Sequence, residues 1–432
     1  MSTRDWVKTT FGEICTITRG ASPRPIMDWV SSTGTHWVKI SDATGEPGRF
    51  ISQTKEFIKN EGRSKSVVVH PGDLVVSNSA TPGLPKFLRI EACVHDGWLL
   101  LRNFKGALPE FLYYVVLNDR KTLVGKGSGS VFTNLKTDIL KNHEIALPGI
   151  PEQKRISDTL GQIDDLIALN VSISKTLEDL AQTIFKSWFV DFDPVKAKMS
   201  GEKLAGMEAA IAALFPNSME ESEIGLIPTG WNVKPAADLF EVGIGRTPPR
   251  KEPQWFCNGT EGIPWVSIRD MGTFETYSHG TNEGLTQAAV DKFKVPVVPE
   301  NTVLMSFKLT VGKLCISDTD LVTNEAIAHF KISQNSPLNT FYTYLSLSNL
   351  DMGSLDSTSS IGTATNSGVI KQIRFLVPPQ ELLGNFHNKV SPIFSQLKIL
   401  RKQTTNLVLL RDALLPRLIS GELQIPEDML AS

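Results

Sequence analysis

The chain has 432 residues, of which 41% are hydrophobic and 21% charged, with a formal net charge of −2. That length holds two or three domains with buried cores, and the composition is that of a globular chain rather than a disordered or fibrous one. No stretch reaches the uninterrupted apolar length of a membrane span and the first eight residues are polar, so the expectation is a cytoplasmic protein with no membrane partner. The four cysteines, Cys15, Cys93, Cys257 and Cys315, stand alone, without a CxxC pair or a histidine at ligand spacing. Buried reduced thiols are expected, and no metal site.

Charge is unevenly spread. Residues 1–150 carry 19 Lys and Arg against 14 Asp and Glu, whereas residues 151–227 carry 7 against 13. The first stretch has the mild basic excess of a surface that meets phosphates, and the rest of the chain does not.

In chain order, residues 1–150 read as a first globular unit. Short apolar or alternating runs at 11–18, 37–40, 66–69, 74–77 and 97–101 predict strands, with Gly, Pro, Asn and Asp between them. Two helical patches fall at 56–62 and 108–123, the second placing Tyr113 and Tyr114 in the core. After the break Pro148-Gly149-Ile150-Pro151, a helix of about 55–60 Å is predicted over 152–190. Its seam is Ile156, Leu160, Ile163, Ile167, Asn170, Leu177, Ala181, Ile184 and Trp188, on alternating steps of four and three with one step skipped at Ser174. Residues 194–223, rich in Gly, Ala and Glu, read as a surface linker or short mobile helix.

The same order then recurs. Trp6-Val7 returns as Trp231-Asn232-Val233, and Arg19-Gly20-Ala21-Ser22-Pro23 as Ile244-Gly245-Arg246-Thr247-Pro248, 225 residues on. Trp37-Val38-Lys39-Ile40-Ser41-Asp42 returns as Trp265-Val266-Ser267-Ile268-Arg269-Asp270, 228 residues on. A second globular unit is therefore expected over 224–379, with Tyr342 and Tyr344 again in a core helix. A second long helix comes next over 380–423, and a tail over 424–432. Its seam is Phe386, Ile393, Leu400, Leu407 and Leu414 at intervals of seven, interleaved by Val390, Leu397, Thr404, Arg411 and Leu418, with a kink or a shifted start expected at Pro392. Each stripe is too narrow to stand alone. The economical arrangement buries one against the other as an antiparallel coiled coil, in an α+β chain with pseudo-twofold symmetry.

The order of parts resembles the specificity subunit of type I restriction-modification systems. The resemblance rests on Leu147-Pro148-Gly149-Ile150-Pro151-Glu152-Gln153-Lys154-Arg155-Ile156 at the first junction and Phe185-Lys186-Ser187-Trp188-Phe189-Val190-Asp191-Phe192-Asp193-Pro194-Val195 at the first helix end. Leu414-Leu415-Pro416-Arg417-Leu418-Ile419-Ser420-Gly421-Glu422-Leu423 carries it at the second. The second junction, Val377-Pro378-Pro379-Gln380-Glu381, lacks the basic pair that follows Gln153. The resemblance implies that 1–150 and 224–379 are target recognition domains, each a small irregular sheet with helices, reading the halves of a split sequence in double-stranded DNA. The helices 151–193 and 380–423 would then set the gap and hold two adenine N6-methyltransferase subunits, and through them restriction subunits. Cofactors would belong to those partners: S-adenosylmethionine, ATP and magnesium.

Base readout needs paired donors or acceptors at loop tips, and phosphate grip needs Lys, Arg or free amides. In the first unit these residue types fall at Arg24, Asn78, Lys86, Lys126, Ser128 and Asn134, and in the second at Arg246, Arg250, Lys251, Lys308, Lys313 and Asn366. For any one of them solvation alone is the plainer reading. Phosphate loops, dinucleotide fingerprints, zinc-protease and nucleophile-elbow strings do not occur, and neither does the Asn-Pro-Pro-aromatic string of adenine methyltransferases, so no catalysis is expected. The rival reading is a symmetric protein scaffold that reads no DNA.

Overall fold

The computed structural model describes residues 6–46, 48–125, 134–202, 204–308, 310–351 and 367–426. Four helices organise the two heads and the seam: α1 (Pro109–Gly125), α2 (Ile150–Phe189), α3 (Thr340–Ser348) and α4 (Gln380–Ile419). The chain divides into two compact units, Met1–Ile173 with Leu400–Ser432, and Ser174–Ile399, so each unit contains part of each long helix.

In the first unit the antiparallel pair Val7–Thr10 with Glu144–Leu147 brings the ends of the head together at the foot of α2. Above it stands a five-stranded sheet in the order Thr16–Arg19, Trp98–Arg102, Leu74–Ser77, Pro85–Leu88, Phe50–Ile51. A second five-stranded sheet contains Thr35–Val38 paired parallel with Ala92–Val94. Two expectations are corrected here. Residues 11–14 form one helical turn rather than strand, because Phe11 and Ile14, three apart, both point into the core and Glu13 accepts from the Thr10 amide at 2.8 Å. Glu56–Ile58 is a strand between Val30–Ser31 and Thr35–Val38, and the helical turn after it is 3-10, Asn60–Lys65. Pairing with two neighbours has overridden local helical propensity.

The second unit repeats the plan. Asn232–Pro235 pairs with Arg374–Val377 at the foot of α4. A four-stranded sheet runs Phe240–Ile244, Ile327–Ile332, Val303–Ser306, Leu314–Ile316, and another pairs Trp265–Val266 parallel with Val322–Thr323. Residues 194–223 are not a bare linker. They include helices Asp193–Met199 and Ala209–Ala213 and a hairpin from Met219–Ser222 to Gly225–Pro228, and Val195 and Phe215 are buried in one cluster with Trp188 and Trp231. Lys198 Nζ ties this segment by donating to the Ala212, Ala213 and Phe215 carbonyls at 3.3, 3.2 and 2.5 Å.

Both long helices are forty residues, and a shift of 230 superposes them residue for residue. Burial follows the predicted seam: Ile156, Leu160, Ile163, Ile167 and Asn170 are buried, as are Val390, Ile393, Leu397 and Leu400, while Leu177, Ile184, Leu407 and Leu414 are half-buried. In the first unit the start of α2 packs on the end of α4, with Ile156 and Leu160 joining Leu415, Leu418 and Ile419 in one cluster. In the second, Phe185 and Phe189 pack edge-on and Trp188 packs at a tilt against Phe386. Each pairing is antiparallel. The shifted start expected at Pro392 is absent: α4 begins at Gln380 and runs through the proline, with Val390 and Ile393 buried on either side. The proline removes the amide that would meet the Asn388 carbonyl, and flanking apolar burial outweighs that loss.

One buried carboxylate ties head to seam in the first unit. Asp164 on α2 accepts from Tyr114 Oη of α1 at 2.7 Å and from Arg411 Nη1 of α4 at 3.0 Å, with only 4% of its side chain exposed. At the positions matching by the 230 shift, the second unit has Phe394, Tyr344 and Ala181, and there Tyr344 meets Phe394 edge-on at 5.9 Å. Removing one member of a buried ion pair strands the other. Arg411→Ala should therefore destabilise the protein by roughly 3 kcal/mol, and Asp164→Phe with Arg411→Ala, which copies the second unit and keeps the tyrosine, by much less. Urea unfolding of the three proteins measures the difference.

Candidate nucleic-acid interface

Each head presents its loops at one end of its main sheet, and in each the loops rest on the same backbone frame. The first loop leaves the edge strand at Gly20 or Gly245. Gly20 N donates to Trp98 O at 2.9 Å and Ala21 N to Val94 O at 3.2 Å; Gly245 N donates to Ile327 O at 3.3 Å and Arg246 N to Thr323 O at 2.9 Å. A Cβ at either glycine would lie 2.1 Å from a carbonyl oxygen, of His95 or of Thr323, so close approach and not turn conformation demands glycine here.

The second loop, 77–84 or 306–313, is closed by matching bonds. Ser77 N donates to Leu84 O at 3.0 Å and Gly83 N to Ser77 O at 2.8 Å; Ser306 N donates to Lys313 O and Gly312 N to Ser306 O, both at 2.9 Å. The serine hydroxyl does double duty in both, accepting from Leu84 N or Lys313 N at 3.0 Å and donating to the carbonyl of Thr81 or Thr310. The frame is thus a shift of 229. Its contents differ: Asn78, Ser79, Pro82 and Leu84 become Phe307, Lys308, Val311 and Lys313.

A carboxylate at matching positions holds the first loop of each head. In the first, Asp96 accepts from Ser22 Oγ at 2.8 Å and lies 3.8 and 3.6 Å from the guanidinium groups of Arg19 and Arg24. The Ser22 hydroxyl, then the two arginines, hold its carboxyl below the usual range. In the second, Glu325 accepts from Thr247 Oγ1.

The structure places the predicted residues unequally. Arg24, Asn78 and Asn134 converge: Asn78 Nδ2 donates to Asp96 O at 3.0 Å, and Leu135 N, next to exposed Asn134, donates to Asn78 O at 2.8 Å. Asn78, however, is 5% exposed and serves the frame, like Phe307 at its matching position, which is 1% exposed. Lys86 is likewise a correction. It is 4% exposed, its Nζ donating to the carbonyls of Glu46 and Gly48 at 2.7 and 2.6 Å, and it occupies the inward strand position that Cys315 fills in the second head. Arg246 is exposed but donates to Phe293 O at 2.6 Å. Arg250 is exposed, pairs with Glu283 at 2.8 Å and lies 4.4 and 4.5 Å over the Phe256 and Trp265 rings. Lys251 and Lys313 are exposed, and Lys308 is half-buried, 5.4 Å over the Phe307 ring. Lys126, Ser128 and Asn366 lie outside the described residues. Arg19, Asp96 and Glu325 escaped the sequence reading; matching the two copies by loop ends rather than by residue type is the signal that finds the two carboxylates. Among the described residues no group of His, Cys, Asp or Glu is placed to hold a metal, and no helix is long and apolar enough to cross a membrane. All four cysteines are free thiols, Cys257 half-buried and the others buried.

Residues 3–179 and 228–405 each match the type I restriction modification DNA specificity domain. The chain belongs to that family. It is 26% identical to the HindI specificity subunit of Haemophilus influenzae, over 97% of this chain and 100% of that one. It is 25% identical to the MjaIX specificity subunit of Methanocaldococcus jannaschii, over 98% and 95%. Its fold is similar to that of a type I restriction-modification S subunit from M. genitalium, with a TM-score of 0.58 at 14% identity, covering 97% of this chain and 98% of that one. The chain is thus a type I specificity subunit with two recognition domains.

The buried ammonium of Lys86 yields a pH test of the corrected placement. Burial pushes its pKa down to about 8 from 10.5, so between those values the unfolded chain binds more protons than the folded one and stability rises with pH. Lys86→Met should remove that rise: the stability of the unaltered protein relative to the variant grows from pH 8 to 10.5, measured by urea unfolding across the range. A difference that stays constant with pH would refute the placement.

Proposed function

We propose that this chain reads a bipartite, gapped sequence in double-stranded DNA, one half with each head, and carries no catalytic step of its own. The observation that supports this best is the pair of loops 77–84 and 306–313, whose backbone bonds match while the side chains they present differ. A frame of that kind displays two different sets of contacts in equivalent positions, which is what two unlike half-sites require.

We further propose that the two long helices hold two copies of an adenine N6-methyltransferase subunit, and through them restriction subunits, with S-adenosylmethionine, ATP and magnesium bound by those partners. Exposed apolar residues on the helices support this. Leu169 and Leu410 are 53% and 47% exposed in the first unit, and Ile399 and Leu180, which match them by the 230 shift, are 50% and 48% exposed in the second. Each unit thus offers the same apolar pair from exchanged helices, fitting two identical partners.

Co-expression with a cognate modification subunit, then long-read detection of methylated adenine, should return a single gapped motif. An ungapped motif, or methylation indifferent to the chain, would refute the reading. In the rival case, a scaffold that reads no DNA, the assembled complex would show no salt-dependent affinity for duplex DNA in gel-shift titration, whereas phosphate contacts make affinity fall steeply with salt.

A spacer role for the helices is tested by insertion. One heptad added between Leu177 and Ile184, and another between Ile393 and Leu397 in the same apolar cluster, lengthens the paired helices by about 10 Å. The unread gap should grow by about three base pairs with both half-sites unchanged. A motif of unaltered gap would count against the helices as the measure.

A further inference from the structure

The two reading loops differ in one respect that their shared frame does not explain. In the first head, Arg120 on α1 reaches the loop tip, its Nε donating to Pro82 O at 2.9 Å. Its stem packs beneath Gly83, whose backbone has φ +75° and where an added Cβ would lie 2.9 Å from Arg120 Cγ. The guanidinium is half-buried, and burial pulls its pKa below the ordinary value, with no carboxylate among the described residues contributing. It lines a cavity of about 810 Å³ together with Pro82, Leu117, Val124, Arg411 and Asp412, whose carboxylate is taken up by Arg411 at 2.8 Å. A half-buried cation without a carboxylate to offset it is costly to keep for packing alone, since an aliphatic side chain would fill the space without the desolvation. What it supplies is a hydrogen bond to a carbonyl at the tip that the backbone frame leaves unmet.

Among the described residues the second head has no such donor at the equivalent place. With Phe111 matching Phe341 at the start of the two helices, the position of Arg120 falls on Leu350, which has no side-chain donor. Among the described residues the loop 306–313 is held by main-chain bonds, Phe307 N to Ala326 O among them, and by Ser306, and the loop 77–84 by corresponding bonds and by a latch.

We propose that Arg120 is a positioning residue that fixes the tip of loop 77–84 and thereby sets the stringency with which the first recognition domain reads its half-site. This rests on the reading that the two heads read DNA. A loop hydrogen bond of this kind contributes about 1 kcal/mol, so freeing the tip lowers discrimination roughly five- to tenfold at the positions it reads. Because Arg120 touches the loop of the first head, the effect falls on one half of the motif.

The test compares methylation motifs of the complex assembled on the full-length chain and on its Arg120→Ala, Arg120→Lys and Gly83→Ala variants, with thermal melting of each. Arg120→Ala should broaden one half-site by roughly five- to tenfold in discrimination and leave the other half, the gap and the melting temperature close to unchanged. Gly83→Ala, which displaces the same guanidinium, should broaden the same half. Arg120→Lys should restore part of the stringency, since the ammonium can still reach the carbonyl. Equal loss in both halves together with lower melting would overturn the proposal, showing a structural role only. Unchanged motifs in all three variants would overturn it as well. If the unaltered chain itself directs no gapped motif, it is the DNA-reading assignment that fails, and the two failures are distinct.

Discussion

Everything in this chain hangs on the narrowness of the apolar stripe along each long helix. A stripe of one residue per three or four leaves a forty-residue helix unable to bury enough surface by itself, so it must be covered along its length. In each unit the cover comes from a segment of the other helix and from the first helix of the head. The contact at their meeting point is solved twice in different chemistry: Tyr114, Asp164 and Arg411 in one unit, Tyr344, Phe394 and Ala181 in the other. A buried ion pair and its apolar replacement come close to equal in free energy, so stability does not choose between them. They are unequal in what they exclude. Asp164 set opposite anything without a donor would be a buried, unpaired carboxylate, and the polar version therefore marks one end of the seam as different from the other.

The same separation between frame and content governs the loops. Ser77 and Ser306 close their loops with main-chain bonds and one hydroxyl, and Gly20 and Gly245 bring the neighbouring loop within reach of a carbonyl. None of these bonds uses an outward side chain. The residues that point away are then free to differ without cost to folding, which is why Lys308 and Lys313 can stand where Ser79 and Leu84 stand in the other head.

How much of this was legible in the sequence depends on what sets each feature. The duplication and the heptads are long-range periodic signals, and the seam from Ile156 to Leu414 is buried or half-buried as its spacing implies. The loops are fixed by local alternation, where a shift of one residue turns a side chain from solvent to core. Choosing Lys86 as a loop-tip cation by residue type missed that the loop ends align at a shift of 229, which sets Lys86 against Cys315 and so in the interior. Residues 56–62 have helical composition, but Glu56–Ile58 is captured by strands on both sides, and no window of local sequence carries that information. Residues 194–223 look like a linker by composition, yet the apolar group Ile211, Leu214 and Phe215 was a sign that the segment is packed.

A weakly charged chain is an unusual instrument for meeting a polyanion, and the structure shows where its cations have gone. Arg19 and Arg24 face Asp96, Arg250 faces Glu283, and Arg246 is committed to a main-chain carbonyl. Each is held in place by a partner that also cancels part of its charge or its donor capacity. For a protein that binds DNA, unpaired lysines and arginines raise affinity for every sequence alike, because the phosphates are everywhere the same. Arginines already engaged must exchange a carboxylate or carbonyl for a base edge or phosphate, and that exchange is favourable only where geometry is right. On the proposed reading, pairing of these arginines would lower binding to the wrong sites more than to the correct one, and discrimination would come from loops fixed in shape more than from charge.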